Sequence, residues 1–121
     1  MAQKILIVDD SPTQLNLMTK PLKEAGYTIV TAADGEEALS KVVSEKPDLV
    51  VLDVIMPKKN GFQVCRDIRT RLGRDKLPIV MLTTKSEASD KFWGMKQGAN
   101  EYMSKPFAPA DLVATIKKLL A

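Results

Sequence analysis

Five polar side chains in this chain follow short apolar runs of sequence and could together form a chemical site. They are Asp9, Asp10, Asp53, Thr83 and Lys105. Three carboxylates that are brought together repel one another unless a cation lies among them. The chain has no histidine and only one cysteine. An all-oxygen set of ligands therefore suits Mg²⁺, with Mn²⁺ as the alternative, rather than Zn²⁺.

A divalent ion in such a site would permit phosphoryl chemistry. One carboxylate can attack phosphorus and form an aspartyl phosphate, and we choose Asp53 because its strand is expected in the middle of the sheet. The oxygens of the incoming phosphoryl group need neutralising partners besides the metal. The ammonium of Lys105 and the hydroxyl of Thr83 fit those tasks.

The elements that must position these residues alternate between apolar runs and amphipathic stretches. We predict strands at residues 4–8, 27–31, 48–53, 77–82 and 100–103, and helices that begin at 11–12 and 34–35 or span 62–72, 88–97 and 109–120. Five such β–α repeats predict an α/β fold, a doubly wound parallel sheet of five strands with five helices on its two faces. Ligands of an open sheet of this kind bind beyond the carboxyl ends of the strands.

Three details of packing follow from the same patterns. Pro21 lies inside the first predicted helix, so we expect a kink or early fraying there. Val43 is expected on the inner face of the second helix. In the fourth helix, the residues at helical spacing are expected in the core, with Trp93 at the flank; these core residues are Ala88, Phe92, Met95 and Ala99. Cys65 is expected to be a small buried hydrophobe.

The composition fits one globular domain over residues 1–121. The 121 residues are 45% hydrophobic and 27% charged, enough to build one core. No apolar run approaches the length of a membrane span and no signal peptide pattern is present, so we expect a cytoplasmic protein without a membrane span. A lone cysteine excludes an internal disulfide.

The charge is uneven along the chain. Residues 1–65 carry 7 basic and 9 acidic side chains, whereas residues 66–121 carry 11 basic and 6 acidic ones. A basic half can indicate a nucleic-acid surface, but no zinc-finger spacing, RNP-type aromatic run or phosphate-binding loop accompanies it. We therefore interpret the excess as a solvated surface and expect no nucleic-acid partner.

Four segments of the sequence resemble the receiver domains of response regulators of the chemotaxis type. They are ILIVDDS at 5–11, DLVVLDVIMPKKNG at 48–61, IVMLTT at 79–84 and EYMSKPF at 101–107. Each segment alone is weak, but the ordered set is highly specific. The stretch 83–106 is also similar to single-domain receivers of type IV pilus, twitching-motility chemosensory systems.

The resemblance implies a flavodoxin-like sheet of order 2-1-3-4-5 and a complete set of site roles. A histidine kinase would transfer a phosphoryl group to Asp53, and the chain would be a switch rather than an enzyme. Thr83 and Tyr102 would be the switch residues, and Lys105 would precede a cis peptide bond to Pro106. Mg²⁺ would be held by Asp9, Asp10, Asp53 and the backbone carbonyl of Ile55.

The implied output is a protein contact, because we expect no output domain in this chain. A downstream target would bind the face formed by the fourth helix, the fifth strand and the last helix; its candidate residues are Lys91, Trp93, Lys96, Lys117 and Lys118. We expect a monomer or weak dimer. Ile55 and Lys85 occupy the two positions that set phosphate lifetime in this family, and neither can position an attacking water. We therefore predict slow loss of the phosphoryl group.

Other interpretations remain at this stage. Asp9 and Asp10 could be ordinary acids at a helix N-terminus, Thr83 a helix cap, and Lys105–Pro106 a turn. The main alternative function is a receiver-like binding module that is never phosphorylated. A flavodoxin-like redox protein is disfavoured because two acids would repel the flavin phosphate, and an aspartyl-phosphate phosphatase because Ile55 replaces its second aspartate.

Overall fold

Strands and helices alternate regularly in the computed structural model, which describes residues 2–121. The elements in chain order are β1 (Lys4–Val8), α1 (Pro12–Glu24), β2 (Thr28–Ala32), α2 (Gly35–Glu45), β3 (Leu49–Leu52), α3 (Gly61–Arg69), β4 (Ile79–Thr83), α4 (Ala88–Lys96), β5 (Glu101–Ser104) and α5 (Pro109–Leu120). All ten predicted elements are present, with boundaries shifted by no more than about three residues.

The five strands form one parallel sheet in the order β2-β1-β3-β4-β5, which confirms the predicted fold. Every neighbouring pair is parallel, and β1 and β3 run side by side so that Val8 lies opposite Leu52. The residues of β3 and β4 are all buried, because helices cover both faces of the sheet. Such strands can therefore be apolar at every position.

Alternate residues of the strands point to two separate cores. On one face, Leu6 and Val50 pack with residues of α2 and α3, among them Ala38, Val42 and Ile68. On the other face, side chains of β1 and β3 pack with α1 and α5; the helix residues buried there are Met18, Leu22, Leu112 and Ile116. The sheet is thus fixed from both sides around β1 and β3, the two strands that precede the acids.

Three helices that follow strands begin at a side chain that caps the helix. The side chains of Ser11, Asp34 and Asn60 accept hydrogen bonds from the backbone N–H groups three residues further on, at 3.3, 2.8 and 2.9 Å. The predicted starts at Ser11 and Asp34 are therefore confirmed. The helix α3 begins one residue earlier than predicted, because Asn60 provides its cap.

The expected fraying at Pro21 is wrong. The helix α1 continues to Glu24, and the N–H of Ala25 donates to the carbonyl of Pro21 at 3.0 Å. Pro21 deprives only the carbonyl of Leu17 of its helical partner, and Leu17 lies at the exposed side of the helix. Burial of Leu22 holds the last turn in place.

Part of the predicted core is also wrong. In α4, Phe92 is 62% exposed and Met95 42% exposed, and Ala88 is exposed as well. Only Gly94 of this helix is buried, so the side of α4 that faces the sheet is the one without a large side chain. Val43 is 48% exposed, because its neighbour Val42 occupies the inner face of α2.

Other expectations about packing hold. Ala99 and Cys65 are buried, and Trp93 is half-exposed. Burial raises the pKa of the Cys65 thiol to about 11. The longest helix, α1, has 13 residues, and none of the helices in residues 2–121 has the length and hydropathy that a membrane span needs.

Candidate functional site

Three carboxylates meet where β1 and β3 end. Asp9 directly follows β1 and Asp53 directly follows β3, and these strands are neighbours in register. One carboxylate oxygen from each of Asp9, Asp10 and Asp53 lies within 4.8 Å of the others. Asp9 is 1% exposed and Asp53 8%, while Asp10 faces solvent. The sheet therefore brings together residues that lie far apart in sequence.

Lys105 supplies positive charge to this cluster. Its Nζ lies 2.5 Å from Oδ2 of Asp9 and 3.2 Å from Oδ2 of Asp53, and its side chain is 8% exposed. The residue follows β5, and its backbone N–H donates to the carbonyl of Thr83 at 2.9 Å. The peptide bond between Lys105 and Pro106 is cis. The lysine thus reaches across the end of the sheet from its edge to its centre.

The two buried acids share Lys105 but accept from different backbone N–H groups. Burial raises the pKa of Asp9, and hydrogen bonds from Lys105 and from the N–H of Ser11 act in the opposite direction. The Oδ1 atom of Asp53 accepts from the N–H groups of Val54 at 2.7 Å and of Ile55 at 3.3 Å. Its second oxygen, Oδ2, faces Lys105. The orientation of the Asp53 carboxylate is therefore fixed at both oxygens.

Gly61 is a positioning residue that the sequence analysis did not single out. A Cβ atom at this position would lie 2.2 Å from the carbonyl oxygen of Asp53, closer than real Cβ contacts permit. The N–H of Gly61 donates to the carbonyl of Val54 at 2.8 Å. The loop after β3 can return against the strand end only because residue 61 has no side chain. The Asn60–Gly61 pair before the helix is the sequence feature that could have revealed it.

A cavity of about 570 Å³ opens above the acidic cluster. Its polar wall contains the cluster residues, Lys105 and Thr84, and its apolar wall includes Leu17, Ile55 and Phe107. Thr84, rather than Thr83, lines this cavity. Thr83 is fully buried at the end of β4, and its hydroxyl accepts from the N–H of Lys85 at 3.3 Å.

The donor set of this cavity fits a hard divalent cation. The three carboxylates offer oxygen ligands only, which Mg²⁺ and Mn²⁺ prefer. Ile55 lies beside the cluster, since its N–H reaches Asp53. The residues that would hold a cation are thus Asp9, Asp10 and Asp53, with the peptide of Ile55 next to them.

Comparison with known proteins identifies the family of this chain. The model of the response regulator receiver domain family matches residues 5–117. The chain belongs to this family. Its receiver fold is shared by solved structures: chemotaxis protein CheY4 of Vibrio cholerae matches with a TM-score of 0.92 and 37% identity over 99% of this chain and 100% of that one. The BeF3-activated N-terminal receiver domain of RstA from Klebsiella pneumoniae matches with a TM-score of 0.91 and 34% identity over 98% of both chains.

This receiver matches curated relatives of two different lengths. Alkaline phosphatase synthesis transcriptional regulatory protein PhoP of Bacillus subtilis is 47% identical over 99% of this chain but 49% of its own length. Protein PilH of Pseudomonas aeruginosa is 39% identical over 98% of both chains. The receiver therefore spans about half the length of PhoP, and of the ycf27 regulators, and nearly all of PilH.

Tyr102 of the receiver is tied to the loop after β4. Its hydroxyl donates to the carbonyl of Lys85 at 2.5 Å. Burial raises the pKa of the Tyr102 phenol to about 12, and the carboxylates of Asp90 and Asp53 act in the same direction. A backbone carbonyl leaves no trace in a sequence, so the partner of Tyr102 could not be predicted. Its hydrogen bond joins β5 to the segment that follows Thr83.

The candidate partner face of the receiver is exposed. All five of its named residues lie at the surface: Lys91, Trp93, Lys96, Lys117 and Lys118. Lys96 lies 5.6 Å above the ring of Phe92, and Lys118 lies 3.4 Å from Glu101. The face thus combines exposed apolar side chains of α4 with positive charges of α4 and α5.

Proposed function

We propose that this receiver is the phosphoacceptor switch of a two-component signalling system, with Asp53 accepting a phosphoryl group from a histidine kinase. One observation carries the proposal: a buried carboxylate, oriented at both oxygens, shares a cavity with two further acids and an ammonium. An isolated structural aspartate would need none of these neighbours. The same set is what attack on phosphorus requires.

Each charged residue of the cavity then has a role in the transfer. Oδ2 of Asp53 attacks phosphorus as the bond to the histidine nitrogen breaks, and Lys105 turns from an ion-pair partner of Asp53 into a partner of a phosphoryl oxygen. Asp9 and Asp10, with Asp53 and the carbonyl of Ile55, would hold Mg²⁺ or Mn²⁺. When bound, the cation supplies charge neutralisation to the phosphoryl oxygens.

A hydroxyl from the end of β4 completes the set of phosphoryl partners. We assign this task to Thr83, as in the family, although Thr84 is the threonine that lines the cavity. A shift of the loop after Thr83 would pull on the hydrogen bond between Lys85 and Tyr102. Phosphorylation would in this way bias a two-state equilibrium that includes Tyr102.

The signal would leave through the face of α4, β5 and α5 to a downstream protein. The relation to PilH, which this receiver matches over nearly its whole length, suggests a type IV pilus chemosensory pathway. We further propose that residues 1–121 act in the cytoplasm as one domain, a monomer or weak dimer, without catalysing any reaction except their own phosphorylation and dephosphorylation.

Intact-mass spectrometry after incubation with acetyl phosphate tests the function. We expect one phosphoryl adduct that requires Mg²⁺ and is absent from Asp53→Asn. The matched control is Asp75→Asn, in the exposed loop before β4, which should be phosphorylated like the wild type. If the wild type forms no adduct although it binds Mg²⁺, the chain is a binding module and the proposal fails.

The same samples test the lifetime of the phosphoryl group. Ile55 is 56% exposed and lines the cavity, and the Lys85 ammonium lies 3.4 Å from Asp90. Neither side chain offers an oxygen to orient water, so the adduct should persist long after acetyl phosphate is removed. An Ile55→Asn variant should lose the adduct faster. A wild-type half-life of seconds would contradict this expectation.

A further inference from the structure

The only buried residue of α4, within the part of the chain that the structure describes, is a glycine. Gly94 lies in the last turn of the helix, where glycine is still a poorer helix former than alanine. Its backbone is not in the left-handed region, since it is absent from the residues with positive φ. Neither helix formation nor backbone conformation therefore explains why glycine stands there.

The neighbours of Gly94 supply a steric reason. A Cβ atom at this position would lie 2.9 Å from both Cδ2 and Cε2 of Tyr102, and 2.8 Å from Sδ of Met81. Met81 and Tyr102 are register partners on β4 and β5, so their side chains lie next to each other beneath α4. The long methionine side chain can move aside, whereas the tyrosine ring is held at its far end.

That far end is the hydrogen bond to the loop after β4. The hydroxyl of Tyr102 donates to the carbonyl of Lys85, and the N–H of Lys85 donates to the hydroxyl of Thr83. Lys85 also pairs with Asp90 in the first turn of α4. The ring of Tyr102 thus lies between the backbone of α4 and the segment that leads out of the acidic site.

We propose that Gly94 is a positioning residue for Tyr102: by lacking a side chain, it allows the ring to lie against α4 and keep its hydrogen bond to the carbonyl of Lys85. A methyl group at position 94 displaces the ring and breaks that bond, which uncouples Tyr102 from the loop that follows Thr83. The inference rests on the proposed function only in treating Tyr102 as a switch residue. The steric relation itself holds in the unphosphorylated protein.

A double-mutant cycle of unfolding in urea tests the steric relation. We expect Gly94→Ala to lower the unfolding midpoint in the wild type, and to lower it much less in the Tyr102→Ala background, where the methyl group meets only the movable end of Met81. If Gly94→Ala alone does not fold, recovery of folding in the double variant supports the proposal. An equal change in both backgrounds, or no recovery, overturns it.

Ionisation of the Tyr102 phenol gives an independent test. A general loss of stability caused by alanine would not change the ionised fraction in the folded protein, whereas displacement of the ring would. Tyr27→Phe leaves Tyr102 as the one tyrosine. Absorbance read immediately after a jump to about pH 11 should show a several-fold larger ionised fraction in Gly94→Ala, because a displaced ring regains a pKa near 10. The matched control is Ser89→Ala, at an exposed site of the same helix, which should leave the fraction unchanged. An unchanged fraction in Gly94→Ala overturns the proposal.

A third measurement separates this proposal from the proposed function. Trp93, the single tryptophan, adjoins Gly94 on α4, so its fluorescence reports on the helix. Acetyl phosphate should give Gly94→Ala its adduct at Asp53 while the accompanying change in Trp93 emission falls to half of the wild-type value or less. A full emission change in Gly94→Ala contradicts the role of Gly94. Absence of an adduct in the wild type contradicts only the proposed function. The role of Gly94 is then still decided by the double-mutant cycle and by the ionisation of the phenol.

Discussion

The acidic cluster and α4 differ in how firmly they are held. Each buried charged side chain of the cluster has a hydrogen-bonded partner, whereas α4 packs on the sheet with a single buried residue. The ammonium of Lys105 donates to both Asp9 and Asp53, and each of the two carboxylates also accepts from a backbone N–H group. In contrast, α4 exposes Phe92 and its neighbours, and no residue of β5 is fully buried. The two regions are nevertheless only one loop apart.

This difference indicates which region can change its structure. Regions with few buried apolar contacts open at lower free energy than a packed core. A site that binds a phosphoryl group benefits from fixed geometry, while an output surface must adopt two arrangements of similar free energy. The contrast between the cluster and α4 is therefore what the proposed switch requires.

The largest expected effect is the removal of the buried ammonium. Lys105→Met leaves Asp9 and Asp53 buried without their positive partner, and the free energy of unfolding in EDTA should fall by about 3 kcal/mol or more. Lys118→Met removes an ion pair whose lysine is 74% exposed and should cost less than about 0.5 kcal/mol. Urea denaturation measures both variants. Similar losses for the two would show that the cluster is no more strongly held than the surface of α5.

A smaller difference is expected between side chains of α5 and α4. Leu112→Ala creates a cavity under α5, where Leu112 is fully buried, and should cost about 3 kcal/mol. Phe92→Ala removes a ring that is 62% exposed and should cost less than about 1 kcal/mol. Thermal or urea unfolding gives both values. If Phe92→Ala lowers the free energy of unfolding as much as Leu112→Ala does, α4 is packed as firmly as α5 and the contrast between the two regions is lost.

Hydrogen exchange should show the same contrast in the wild type. Amides in the middle of α4 are expected to exchange on the order of 100-fold faster than those of β3, because α4 can open locally while β3 is released only by global unfolding. Exchange measured by NMR at neutral pH gives the two rates. Equal protection of both elements would mean that α4 unfolds only with the whole domain.

The smallest effect concerns the start of α2, beside the loop that follows β3. The N–H of Glu37 holds the pKa of Asp34 below 3.8, with a further contribution from Lys58. The Asp34 carboxylate therefore stabilises the folded protein at neutral pH, and this stabilisation is lost as the pH falls through 3.8 and below. The gap in urea midpoint between wild type and Asp34→Ala should narrow on acidification. If the difference in urea midpoint does not change with pH, the stabilisation by Asp34 does not depend on its charge.

Much of the fold and of the acidic cluster could be predicted from the sequence, because both depend on local patterns. Buried parallel strands are continuous apolar runs, and Asp9 and Asp53 stand directly behind two of them. The order of the strands required the resemblance to a family. Once the order is known, the neighbouring ends of β1 and β3 follow, and so does the cluster.

The error in α4 lies where a side chain is absent. The hydrophobic pattern of α4 selected Phe92 and Met95 for the core, because a glycine contributes nothing to such a pattern, yet Gly94 faces the sheet. The role of Thr83 stays a prediction, and pattern alone could not show that its neighbour Thr84 also lines the cavity.

The structural role of Arg69 could not be predicted for a similar reason. Its guanidinium donates to the carbonyls of Arg74, Leu77 and Gly98 and to the side chain of Asn100. These contacts join the end of α3 to the loops before β4 and β5. Sequence reasoning assigned Arg69 only to a general excess of basic residues, because carbonyl acceptors are present at every position of a chain.

The position of β1 between β2 and β3 has a consequence for synthesis on the ribosome. The first 52 residues contain three strands that are immediate neighbours in the final sheet, so the chain can pair them before β4 and β5 have emerged from the ribosome. The later strands are then added one after the other at a single edge. Asp9 and Asp53 acquire their relative positions in this early half, and Lys105 joins them only when the last strand has been added.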